Sequence, residues 1–110
     1  MADKAQFFNV NYQTGYEKNS IIVPALSKID AENTIKNAIY NVLSVDFLGW
    51  QSVNITLLND TSYYFEANFN GYSLYYNDET PGFHFLESHF HQEIQILKKQ
   101  YWDATGYPPY

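Results

Sequence analysis

The most constraining feature of this sequence is an Asn70-Gly71 dipeptide between two alternating runs of aromatic and polar residues, 63–69 and 72–77. Asn-Gly readily adopts the positive φ angles of a type I′ turn, so the two runs are predicted to form a tight antiparallel hairpin. Because side chains alternate across a strand, this pairing assigns every residue to a face. The face expected in the core carries Phe65, Ala67, Phe69, Tyr72, Leu74 and Tyr76. The other face carries Tyr64, Glu66, Asn68, Ser73, Tyr75 and Asn77.

Three further segments have the patterns of strands. Residues 7–12 and 19–25 flank a Thr14-Gly15 break and predict a first hairpin. Pro24 cannot donate to a ladder, so the second strand of that hairpin is expected at an edge or to end near this residue. Residues 53–57 alternate between apolar and polar side chains, as is typical of a half-buried strand.

The segment after the first hairpin has the signals of a helix. Ser27 is a good N-cap, with Asp30 three residues later in a capping-box arrangement. The helix is expected to end before Gly49. Its buried stripe is predicted to contain Ala31, Ile35, Ala38, Ile39 and Val42.

A second helix is predicted near the end of the sequence. Thr80 is the expected N-cap, Pro81 the first helical residue, and Gly106 the stop. Its buried stripe is predicted to contain Phe83, Leu86, Phe90, Ile94, Leu97 and Tyr101.

The predicted fold is therefore α+β, with the order ββαβββα and an antiparallel sheet that has two helices packed on one face. A chain of 110 residues is the size of one domain, so residues 1–110 are expected to form a single domain with a flexible tail over 106–110. The sequence contains no cysteine, which removes disulfides, thiolate zinc sites and thiol nucleophiles. It also contains no apolar run of the ~18 residues that a membrane span needs. We expect a cytoplasmic protein without membrane association.

The charges are distributed unevenly along the chain. The six basic residues are all lysines, against 12 acids, for a formal net charge of -6. Residues 51–97 contain six acids and no lysine or arginine. A surface built from this stretch would repel phosphate and attract basic partners, so direct nucleic-acid binding is not expected. The alternative is that these acids serve only solubility.

Motifs for catalysis are missing from the sequence. The Gly-x-Ser-x-Gly elbow, the Walker loop and the Gly-x-Gly-x-x-Gly turn are all absent, and the five glycines are widely scattered. We therefore expect neither an enzyme nor a cofactor. An acid and base pair assembled from distant carboxylates stays open as an alternative.

A group of three residues on the second predicted helix could bind a metal ion. His84, Glu87 and His91 have the spacing i, i+3, i+7, which places two imidazoles and a carboxylate on one side of a continuous helix. The spacing does not match the His-Glu-x-x-His pattern of zinc proteases. The simpler interpretation is that these residues flank the buried stripe.

The sequence has 11 tyrosines, more than a small core can hide. Exposed tyrosine gives large contact area with few rotatable bonds and is enriched in interfaces, although it is also favoured on the solvated face of a strand. We expect a small acidic binding protein, of the inhibitor, immunity-protein or antagonist type, that covers a basic surface of another protein. The alternatives are a metal-binding protein and a homodimer. The predicted partner-binding residues are Tyr64, Glu66, Asn68, Ser73, Tyr75, Asp78 and Glu79.

Overall fold

A computed structural model of the chain describes residues 4–36, 41–59, 61–69 and 71–106. The strands within these ranges are β1 (Lys4–Thr14), β2 (Glu17–Pro24), β3 (Asn41–Leu57), β4 (Tyr63–Phe69) and β5 (Tyr72–Tyr76). The helices are α1 (Lys28–Lys36), α2 (Phe83–His89) and α3 (His91–Thr105). The predicted single α+β domain and its order of elements are confirmed. Within the described ranges, no helix has the length and apolar character needed to cross a membrane.

The strands form one antiparallel sheet in the order β2-β1-β3-β4-β5. The sheet is curled, and its two edge strands come together where the Tyr76 hydroxyl of β5 donates a hydrogen bond of 2.7 Å to the Ile22 carbonyl of β2. The β1–β3 register shifts twice, between Phe7 and Phe8 and between Asn11 and Tyr12. Such bulges bend a strand and increase its local twist, which favours the curl.

The core consists of two hydrophobic clusters on the two faces of this sheet. Phe7 and Phe8 are consecutive in β1 but belong to different clusters, because successive side chains of a strand point to opposite faces. The first cluster joins α2 and α3 to the sheet through Ala5, Phe7, Val53, Phe65, Ala67, Phe69, Tyr76, Phe83, Leu86, Phe90 and Ile94. The second joins α1 to it through Phe8, Val10, Val23, Ala25, Ala31 and Ile35. The helices thus pack on different clusters. The prediction that the helices pack on one face of the sheet is therefore wrong.

The first helix is shorter than its apolar stripe predicts. Ala31 and Ile35 are buried as expected, but α1 ends at Lys36 and Val42 lies in β3. Val42 pairs with Tyr12 across the β1–β3 ladder and packs against the second cluster. Its placement in β3 gives this apolar side chain a half-buried position that helical periodicity cannot reveal. Ala38 and Ile39 lie outside the described residues.

The second predicted helix is two helices, and it begins later than predicted. Thr80 is not the N-cap, because its hydroxyl donates to the Asn77 side chain at 3.0 Å within a turn. Gly82 precedes α2 instead, with φ +94°. The helix then breaks at Phe90, whose φ and ψ are -108° and 27°, and α3 continues from His91 to a left-handed Gly106. The rest of the predicted tail, 107–110, lies outside the described residues.

Candidate binding groove

The β4–β5 hairpin has the register that its sequence predicts. Phe69 pairs with Tyr72, and Glu66 pairs with Tyr75. The buried members of the apolar face belong to the first cluster, under α2 and α3. The opposite face points away from this cluster and is called the hairpin face here: Tyr64, Glu66, Asn68, Ser73 and Tyr75. Asn68 and Tyr75 are exposed on it, and the other three residues are half-buried.

Two direct contacts between β4 and β5 organise the hairpin face. The rings of Tyr64 and Tyr75 meet in an edge-to-face arrangement, with centroids 5.9 Å apart and an interplanar angle of 65°. The Ser73 hydroxyl donates a hydrogen bond of 3.1 Å to the Asn68 side-chain oxygen. Tyr75 nevertheless keeps 59% of its surface exposed. The face thus presents a large aromatic side chain that a neighbouring ring holds in place.

Asp78 and Glu79 follow the hairpin in a turn that Asn77 organises. The Asn77 side-chain oxygen accepts hydrogen bonds from the Glu79 amide, at 2.9 Å, and from the Thr80 hydroxyl, at 3.0 Å. Both acidic side chains are exposed. Asp78 lines a groove beside the hairpin, whereas Glu79 is not among the residues of that groove.

The groove has a volume of about 730 Å³ and lies between the hairpin, the β3–β4 loop and α2. Four residues singled out in the sequence come together in it: Tyr64, Tyr75, Asp78 and Glu87. Its full lining is Leu58, Thr61, Ser62, Tyr63, Tyr64, Tyr75, Asn77, Asp78, Phe83 and Glu87. Glu66, Asn68, Ser73 and Glu79 lie outside the lining, although the first three share the hairpin face.

The sequence analysis missed the contribution of the β3–β4 loop and of Tyr63. Asn59 shapes this loop, because its side-chain oxygen accepts hydrogen bonds from the amides of Thr61 and Ser62, at 2.8 and 2.9 Å. Asn followed by Thr and Ser between two strands is a signal for such a turn. This signal does not indicate that the turn would form one side of a groove, since the groove also depends on how α2 packs.

A hydrogen-bonded set of side chains borders the groove. The Tyr63 hydroxyl donates to the Glu87 carboxylate, and His84 Nδ1 lies 2.9 Å from the other carboxylate oxygen of Glu87. The Lys98 ammonium of α3 lies 5.6 Å from the centroid of the Tyr63 ring. These contacts tie β4 to both α2 and α3.

The environment shifts the pKa values of Tyr63 and Glu87 in opposite directions. Burial, the hydrogen bond to Glu87 and the negative charge of Glu87 raise the pKa of Tyr63 to about 12. Burial alone would raise the pKa of Glu87. Hydrogen bonds from Tyr63 and His84, together with the charges of His84 and Lys98, outweigh it and hold this pKa below the ordinary value of 4.5. At neutral pH the phenol is therefore a donor and the carboxylate is ionised.

The predicted metal-binding group does not come together. His84 pairs with Glu87, whereas His91 starts a separate helix after the break at Phe90. Among the residues that the structure describes, no three histidine, cysteine, aspartate or glutamate side chains are grouped so that they could hold a metal ion. The spacing i, i+3, i+7 aligns side chains only on an unbroken helix.

Comparisons with protein-family models, with curated proteins and with solved structures find no match to this chain. Its function therefore has to be argued from the site. The groove offers aromatic rings and carboxylates side by side, a combination that suits a ligand with positive charge and a flat or apolar surface.

Proposed function

We propose that this chain is a small acidic, non-enzymatic binding protein whose hairpin face docks on a basic surface of a partner protein. The observation that carries this proposal is the contact of exposed Tyr75 with half-buried Tyr64, beside a groove lined by Asp78 and Glu87. The whole hairpin lies in a stretch, 51–97, without lysine or arginine. The face therefore combines aromatic contact area with negative charge.

Each part of this surface has a role in association. The acids attract a basic partner over a distance and raise the rate of encounter. Tyr75 then supplies contact area at a low cost in side-chain entropy, since a tyrosine has few rotatable bonds. The hairpin contacts fix the rings before binding, which lowers the ordering cost of the complex.

The proposed mode of action is occlusion of the partner's surface, as in an inhibitor, an immunity protein or an antagonist. This action needs no cofactor, membrane or direct contact with nucleic acid, and a cytoplasmic location is part of the same proposal. A second copy of the chain is the competing occupant of the hairpin face. Light scattering distinguishes the two. A homodimer through this face would show twice the monomer mass, and Tyr75→Lys would return the measured mass to that of a monomer.

Site-specific photo-crosslinking tests the proposal directly. The photoreactive residue benzoylphenylalanine replaces Tyr75 in one variant, and in a matched control it replaces Tyr16, which is fully exposed in the turn between β1 and β2. Both variants are irradiated in lysate of the cells that make the chain, and the adducts are identified by mass spectrometry. We expect a basic protein to be captured from position 75 alone, with competition from untagged wild-type chain but not from untagged Tyr75→Lys.

Two outcomes would overturn the proposal. Equal capture at positions 75 and 16 would mean that the adducts are non-specific. A lack of any specific adduct at position 75, in lysate where wild-type chain is present at its natural level, would mean that the hairpin face is not a docking surface.

A further inference from the structure

The groove contains a carboxylate that no other described residue neutralises. Glu87 is engaged by Tyr63 and His84 and lies close enough to Lys98 for that charge to lower its pKa. Asp78 lines the same groove, and its side chain has no hydrogen-bond or ion-pair partner among the described residues. A ligand that enters the groove therefore meets an unpaired negative charge at Asp78.

Aromatic surface lies beside this carboxylate. Tyr63 is already occupied on its ring face, because it stacks on Phe83, with centroids 5.7 Å apart, and Lys98 lies over it. The Tyr64–Tyr75 pair meets edge to face, so the two rings leave aromatic surface open to the groove. Lys98 lies 5.6 Å from the Tyr63 ring centroid, within the range of about 6 Å over which a cation is attracted to an aromatic ring.

An unpaired carboxylate beside open tyrosine rings favours an arginine side chain over a lysine side chain. The guanidinium of arginine is flat, so it can stack on a ring and at the same time offer two parallel N–H donors to a carboxylate. An ammonium makes the ion pair as a point charge and is more strongly hydrated, so it loses more on entering the groove. The volume of about 730 Å³ admits an arginine together with flanking residues of its chain.

We propose that the groove is a binding site for an arginine side chain of the partner, with its guanidinium stacked on Tyr64 or Tyr75 and paired with Asp78. This inference rests on the proposed function, because it identifies the group by which the partner's basic surface is recognised. It assigns separate roles within the site. The hairpin face supplies the broad contact, and the groove selects arginine.

The test is a titration of isotope-labelled chain with three blocked pentapeptides that differ only at the central residue: arginine, lysine or citrulline. Citrulline keeps the length and planarity of arginine but lacks its charge. Amide shifts in nuclear magnetic resonance spectra locate the binding and give the affinity. We expect saturable shifts around the groove with the arginine peptide, and affinities weaker by about tenfold or more with lysine and citrulline.

Two substitutions of acids in the same turn provide the matched comparison. Asp78→Asn removes the groove carboxylate, and Glu79→Gln removes the neighbouring exposed carboxylate that does not line the groove. Both change the net charge by the same amount. We expect Asp78→Asn to lower the affinity for the arginine peptide by about tenfold or more. Glu79→Gln should leave that affinity within about twofold of the wild-type value.

The inference is overturned if the arginine peptide does not bind, if the lysine or the citrulline peptide binds as well as the arginine peptide, or if the two substitutions have equal effects. Failure of the arginine site can be distinguished from failure of the proposed function. The distinguishing result is a partner, captured at position 75, that binds Tyr75→Lys more weakly than wild type but binds Asp78→Asn equally well. In that case the hairpin face is a docking surface and the proposal of an arginine site is wrong.

Discussion

The Tyr63 hydroxyl of β4 donates a hydrogen bond to the Glu87 carboxylate of α2, and this contact joins the sheet to the helix beside the groove. Lys98 of α3 lies over the same tyrosine ring, so three elements meet at one side chain. The shape of the groove depends on this junction, because its walls belong to elements that are distant in sequence.

The junction predicts a dependence of stability on acid. The pKa of Glu87 is lower in the folded protein than its ordinary value of 4.5, so its ionised form stabilises the fold. That contribution is present above this ordinary value and is lost as the pH falls through the lowered pKa. We expect Glu87→Gln to have a shallower loss of unfolding free energy between neutral and acidic pH than the wild type, measured by urea denaturation.

Tyr63→Phe is the companion variant for this measurement. It removes the hydroxyl donor while keeping the ring, so it should also make the acid dependence shallower. The two changes act on one contact. In a double-mutant cycle, the double variant should therefore lose less unfolding free energy than the sum of the losses in the two single variants. Additive effects would contradict a direct link between Tyr63 and Glu87.

The curl of the sheet predicts a role for a second tyrosine hydroxyl. Tyr76→Phe removes the donor of the 2.7 Å hydrogen bond to the Ile22 carbonyl, which connects the two edge strands. We expect a loss of about 1 kcal/mol in unfolding free energy. Tyr72→Phe is the control, since the Tyr72 hydroxyl makes no hydrogen bond to the described residues. Equal losses in the two variants would mean that the edge contact contributes nothing.

The start of α2 depends on a glycine for two separable reasons. Gly82 and Gly71 both have φ +94°, a conformation that side chains with a Cβ rarely adopt. At Gly82 a Cβ would also lie 2.5 Å from Pro24 Cδ, whereas at Gly71 nothing lies within 4 Å. We expect Gly71→Ala to cost about 1 kcal/mol and Gly82→Ala about 2 kcal/mol more, by chemical denaturation. Similar costs would contradict the close packing of α2 on β2.

Local patterns in the sequence were sufficient to predict the hairpin. The Asn70-Gly71 dipeptide predicts the register, although Asn70 itself lies outside the described residues. The register assigns faces, so the pairing of Glu66 with Tyr75 follows from the residues alone. The burial of Ala31 and Ile35 in α1 was predicted in the same way. In each case the interactions that decide the structure lie within a few residues of one another.

The failures of sequence prediction occurred where distant contacts decide the structure. Val42 fits a helical stripe, but the β1–β3 ladder extends β3 to Asn41 and includes it. The predicted apolar stripe continues through Phe90, so the sequence pattern does not reveal the helix break there. This break separates His91 from Glu87. The groove itself brings Glu87 of α2 beside Tyr63 of β4 through packing of the helix on the sheet, and no periodicity reports that arrangement.

The proposed docking surface predicts a substitution that separates binding from folding. Tyr75 is more than half exposed, and its ring contacts the ring of Tyr64. Tyr75→Lys should therefore lower the unfolding free energy by no more than about 1 kcal/mol, because cross-strand pairs contribute only that much. Thermal and urea unfolding measure this directly. A much larger loss would mean that Tyr75 belongs to the core and would invalidate it as a binding probe.

Docking of the hairpin face on a basic partner is best tested by the affinity of the purified partner for wild-type chain and for Tyr75→Lys. Titration calorimetry at low and at high salt provides this measurement. We expect Tyr75→Lys to lower the affinity by about 30-fold or more, and wild-type binding to weaken as salt screens the charges. Equal affinities of the two chains at both salt concentrations would mean that the hairpin face is not the docking surface.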